Sequence, residues 1–91
     1  MAQIHIEREH ALGLEEARRQ IDQVAETLRD QLQARFHWEG DRLEFERSGA
    51  HGVIEVAQNR VTLDIRLGLL LRPLKGTIER TITEQLDSHL A

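Results

Sequence analysis

The sequence predicts an α+β fold, a curved, mainly antiparallel sheet in β-α-β-β-β-β-α order with two helices packed on one face. Three observations carry this. Apolar residues alternate in five short stretches, the period of strands with one buried side. Between the first and second of these lies a segment with apolar residues at three- and four-residue steps, and a second such segment closes the chain. The intervals between the later strands hold turn residues and are too short for anything but hairpins.

Taken in order, "QIHIER" places Ile4 and Ile6 on one face and His5 and Glu7 on the other, predicting a strand over 3–8. In "LGLEEARRQIDQVAETLRDQLQARF", Leu14, Ala17, Ile21, Val24, Ala25, Leu28 and Leu32 form the stripe of an amphipathic helix. Gly13 serves as its N-cap, Glu16 sits at the positive helix end, and Leu12 staples against Ala17. The Glu15/Arg19 and Arg18/Asp22 spacings predict ion pairs on its solvated face. "FHWEGDRLEFER" is a hairpin about Gly40-Asp41, with Phe36, Trp38, Leu43 and Phe45 inward. "SGAHG" is a second turn, "VIEVA" a strand, Gln58-Asn59-Arg60 a third turn, and "VTLDIRL" a strand with Val61, Leu63, Ile65 and Leu67 on one side. Leu74, Ile78, Ile82, Leu86 and Leu90 then recur every four residues in a second helix, with Pro73 in its first turn. The outward sheet face should carry His5, Glu7, His37, Glu39, Glu44, Glu46, Glu55, Thr62, Asp64 and Arg66, its acids balanced across strands by Arg42, Arg47 and Arg66.

Length and composition bound the function. The 91 residues form a single expected domain, 1–91, able to bury roughly 60–65% of the surface of the unfolded chain, enough for one modest core. The absence of cysteine removes disulfides, zinc-thiolate sites and thiol nucleophiles, and points to the cytoplasm. No run approaches the about 18–20 apolar residues of a membrane span, and none has the basic start and apolar stretch of a leader. The net charge of −4, with basic residues interspersed among acids, argues against nucleic acid as a partner.

Two motifs go beyond periodicity. "HWEGDRLEFERSGAHGVIEV" and "LDIRLGLLLRPLKGTIER", together with the opening "IHIEREHALGLEEAR", resemble the polyhydroxyalkanoic acid system family, small bacterial proteins associated with polyhydroxyalkanoate genes and granules. The combination of "FERSG" with "LLRPLKG" carries the resemblance, which extends over nearly the whole chain. It implies a role in storage-polyester biology and supplies no catalytic residues.

The residues themselves offer little chemistry. Ser48 lies in a turn beside Gly49, Ser88 lies near a helix end, and no G-x-S-x-G elbow exists, so a serine hydrolase is not expected. His5/Glu7 and His37/Glu39 would hold zinc only on neighbouring strands in register; the alternative is an ordinary solvated face. His10, His51 and His89 fall in unrelated places. Trp38 and Phe45 are claimed by the core, leaving few rings for stacking nucleobases, and the glycines have no phosphate-binding spacing. No catalytic residue, metal ligand or cofactor is expected.

"LGLLLRPLKG" remains. Leu67 completes the last inward strand face and Leu71 or Leu74 starts the helix stripe, but Leu69 and Leu70 belong to neither pattern. Either they close the open end of the core, or they form an exposed edge flanked by Arg72 and Lys75 that touches a granule, a granule protein or a second copy of the chain as a homodimer. The expected function is that of a non-enzymatic accessory protein of polyhydroxyalkanoate metabolism, in the cytoplasm or at the granule surface. The alternative is a helix-grip-like binder that holds a hydrophobic or hydroxyacyl ligand beneath the last helix.

Overall fold

The computed structural model describes residues 2–90. Strands β1 (Ala2–Glu9), β2 (Arg35–Glu39), β3 (Arg42–Arg47), β4 (Ala50–Val56) and β5 (Arg60–Leu67) form one open antiparallel sheet in the order β1-β5-β4-β3-β2. Helix α1 (Leu14–Leu32) connects one edge of that sheet to the other, and α2 (Lys75–Leu90) follows β5 through a 3-10 turn over Leu69–Leu74. The predicted element order and one-sided helix packing are thus observed. Among the described residues no helix is long and apolar enough to cross a membrane.

Register explains the core. Opposite residues run Ile4–Ile65–Gly52–Phe45–Phe36 and Ile6–Leu63–Ile54–Leu43–Trp38 across the sheet, so alternation in each strand converges on one apolar face. Ala17, Ile21, Val24, Ala25 and Leu28 of α1 and Ile78, Ile82 and Leu86 of α2 cover that face and are buried with it. The space beneath α2 is filled by these side chains, with Ile82 and Leu86 both at 0% exposure. Phe36 and Phe45 meet edge to face at 5.2 Å between ring centroids, a favoured aromatic geometry.

Turn chemistry sets the hairpins. Gly40 has φ +60° and Asp41 does not share the positive sign, the type II′ pattern whose twist suits a two-residue hairpin. The second turn is shorter than "SGAHG" suggests: β4 already begins at Ala50, leaving Ser48 and Gly49, and β5 begins at Arg60. Gly52 is therefore a strand residue, held where a Cβ would lie 2.3 Å from the Asp64 carbonyl oxygen. Gly13 is the N-cap residue of α1 and has φ +80°, a conformation outside the usual extended N-cap region that glycine adopts without strain.

Several charges depart from the expected solvated pattern. Arg19 bonds Glu16 at 3.0 Å instead of Glu15. Arg18 stacks over Trp38 at 4.6 Å and pairs with Asp41 at 3.7 Å, while Asp22 accepts a 3.0 Å hydrogen bond from the Trp38 indole; among the described residues Arg18 and Asp22 do not pair. Arg47 occupies the inward row opposite Ala50, and its guanidinium donates to the Leu32 carbonyl at 2.7 Å, satisfying an orphan acceptor at the end of α1. Arg8, also inward, reaches Asp87 of α2 at 2.8 Å. His10 is buried, donating from Nε2 to the Ala57 carbonyl at 3.1 Å and accepting at Nδ1 from the Leu12 amide at 3.2 Å.

Candidate contact surface

The corner after β5 is built by competition between strand and helix geometry. Leu67 points inward, the last residue of its row, and is 1% exposed. Gly68 keeps an extended backbone at φ −72° and ψ 176°, and its amide bonds the Gly49 carbonyl at 2.7 Å, tying the corner to the β3–β4 turn. The Leu71 amide then bonds the Gly68 carbonyl at 3.2 Å and starts the 3-10 turn. Pro73, having no amide hydrogen, donates nothing inside the turn, and regular α-helix starts only at Lys75.

This phase decides which leucines are used. Leu71 folds back over Gly49, where an added Cβ would meet its side chain at 3.5 Å, and it closes the end of the core. Leu69 and Leu70 are 73% and 89% exposed, so they do not plug the core. Leu74, expected to head the α2 stripe, is instead 49% exposed and lies at the end of the 3-10 turn, before α2 begins. Pro73 correspondingly lies in the 3-10 turn and not in α2. Arg72 is exposed and Lys75 half-buried, and among the described residues neither joins an ion pair. Three leucines and two unpaired cations thus share one projecting corner.

The remaining candidates separate. His5/Glu7 lies on β1 and His37/Glu39 on β2, the opposite edges of the sheet, so the neighbouring strands a shared zinc site needs do not exist. Among the described residues no three His, Asp or Glu side chains gather as metal ligands. His5 Nδ1 is instead hydrogen-bonded to Asp64 across the β1–β5 ladder. That bond, then the Asp64 charge, and more weakly Glu7 raise the His5 pKa above 6.5. His37 sits 4.0 Å from Glu39 and 3.8 Å from Glu44. His89 bonds Gln20 at 2.8 Å and so links the two helices. Ser48 and Ser88 are exposed, and among the described hydrogen bonds neither hydroxyl meets a histidine.

The outward sheet face carries the expected rows, for example His5–Asp64–Val53–Glu44–His37 and Glu7–Thr62–Glu55–Arg42–Glu39. A shallow hollow of ≈ 480 Å³ opens beside Gly49, Gly52, Arg66 and Gly68, at the end of the sheet and away from α2. Phe45, Ala50 and Leu67 line it together with Glu44, Glu46 and His51, and it is open to solvent, unlike the enclosed tunnel a hydroxyacyl chain would need.

A family model described as "Putative polyhydroxyalkanoic acid system protein" matches residues 4–90. Searches of curated proteins and of solved structures return no match.

Proposed function

The chain belongs to the polyhydroxyalkanoic acid system family, and from that premise we propose that it is a non-enzymatic accessory protein of storage-polyester metabolism that works in the cytosol by docking on the granule surface. The observation that carries this reading is the leucine corner. Leu69 and Leu70 stand in water at a cost no core requirement explains, since Leu71 already closes the end of the core. Arg72 and Lys75 beside them add positive charge, and their long stems add apolar area at the rim. The packed interior under α2 weighs against the alternative of a helix-grip binder, which needs that space for its ligand. Among the described residues no serine hydroxyl bonds a histidine, which favours a role without serine-hydrolase chemistry.

Fractionation of polymer-accumulating cells tests the reading. The protein should travel with washed granules and leave them when Leu69 and Leu70 are both replaced by Ser. Recovery of the unaltered protein wholly in the soluble fraction would refute granule docking. Turnover of hydroxyacyl esters by purified protein, abolished by Ser48→Ala, would refute the non-enzymatic assignment.

A further inference from the structure

We propose that the free edge of β2 is a self-association surface, pairing two copies of the chain antiparallel about His37 into one continuous sheet. This rests on the β2 edge alone and is independent of granule docking.

The hydrogen-bond alternation fixes which backbone groups are free. The Val56 amide bonds the Asp41 carbonyl at 2.9 Å, and this sets the bonded pairs of the β3–β4 ladder at Leu43–Ile54, Phe45–Gly52 and Arg47–Ala50. Arg42, Glu44 and Glu46 therefore turn their backbone groups toward β2, bonding Glu39, His37 and Arg35. Phe36 and Trp38 are left with N–H and C=O directed away from the sheet, and no hydrogen bond among the described residues uses them.

An antiparallel two-fold centred on His37 matches these groups. Phe36 then exchanges both backbone bonds with the partner's Trp38, and Trp38 does so with the partner's Phe36. Arg35 faces the partner's Glu39 in the closer, non-bonded kind of pair, on the outward face of the sheet. The sequence "RFHWE" is thus complementary to itself when reversed: cation to anion, aromatic to aromatic, His37 on the axis. On the inward face, Phe36 and Trp38 are only half-buried, and pairing completes their cover.

The opposite edge lacks these properties. In β1 the inward row ends in Arg8, whose charge is carried to Asp87, and α2 packs along that strand. An inward charge is a known device for keeping a sheet edge from pairing. The inward row of β2 carries no charge, and β2 contains neither proline nor bulge.

A charge swap tests the register. Arg35 faces Glu46 and Glu39 faces Arg42 within the chain, so Arg35→Glu or Glu39→Arg creates a like-charge pair inside the monomer as well as between copies. Combining them cannot repair the monomer but restores both attractions across the two-fold. Sedimentation velocity on the full chain should show a concentration-dependent dimer that each single variant weakens about tenfold or more and that the double variant restores to within about threefold. Trp38, the only tryptophan, should shift its emission to the red as the unaltered dimer is diluted. An unaltered chain that stays monomeric to about 1 mM overturns the proposal. So does a dimer indifferent to both single changes, or one lost instead with Leu69→Ser and Leu70→Ser, which would move self-association to the leucine corner. Failure of the double variant to recover while its melt remains cooperative overturns it too.

Discussion

Replacing Gly52 by alanine should be among the most damaging single-methyl changes in the protein. The new Cβ would lie 2.3 Å from the Asp64 carbonyl oxygen and 2.8 Å from Ile65 Cα, backbone atoms that no rotamer change can move. β5 has no room to step aside, because Asp64 and Ile65 are paired on their other flank with His5 and Ile4 of β1. Relief must come from spreading β4 and β5, which stretches the bonded pairs on either side, His51–Arg66 and Val53–Asp64. Losing two or three such bonds at about 0.5–1.5 kcal/mol each gives roughly 1–4.5 kcal/mol. For a domain of this size that is a sizeable share of the about 5–15 kcal/mol total, and the melting temperature should fall by roughly 5–35 °C. Urea unfolding followed by circular dichroism measures it. Gly76→Ala is the control: nothing lies within 4 Å of its Cβ position, so stability should hold or rise by up to about 1 kcal/mol. A Gly52→Ala protein within about 0.5 kcal/mol of the parent would refute the claim that the β4–β5 approach requires glycine.

Ile82→Ala, at a site with 0% exposure between α2 and the sheet, should cost roughly 2–5 kcal/mol, read from the same unfolding curves. A chain truncated before Leu74 should show no cooperative melt, since Ile78, Ile82 and Leu86 provide a core layer. In an NMR titration His5 should lose its proton with a midpoint above 6.5, and Asp64→Asn, which removes the largest cause, should lower that midpoint. Because the folded-state value is raised, the His5–Asp64 interaction stabilises fully below the unfolded midpoint near 6.5 and fades as pH rises through the folded one.

The fold was legible where one periodicity ruled a segment. Alternation placed Ile4, Ile6, Leu43, Phe45, Val61, Leu63 and Ile65 on one face, and the helical stripe from Ala17 to Leu28 needed no tertiary information. Periodicity misleads where the period changes. Leu74 continues the four-residue spacing of α2, yet it lies in the 3-10 turn that precedes α2 and is half-exposed. "AHG" resembles turn chemistry, but the required close approach of β4 to β5 claims Gly52 for the sheet. Charges were least legible, because long side chains choose partners in space: Arg8, Arg18 and Arg47 bind Asp87, Trp38 and the Leu32 carbonyl, none of them local in sequence. The contact corner was recognisable as two leucines without a place; their exposure depends on Leu71 having taken the available one.

Binding of the purified protein to isolated polyester granules, compared between the parent and Leu69→Ser/Leu70→Ser, tests the leucine corner most directly. With exposures of 73% and 89%, burying the two side chains on a surface is worth roughly 2–5 kcal/mol, so the double change should weaken binding about 30-fold or more. Its unfolding free energy should stay within about 1 kcal/mol of the parent, as for surface sites. Equal binding by the two proteins would contradict the account, and so would a large loss of stability in the variant, which would return both leucines to the core.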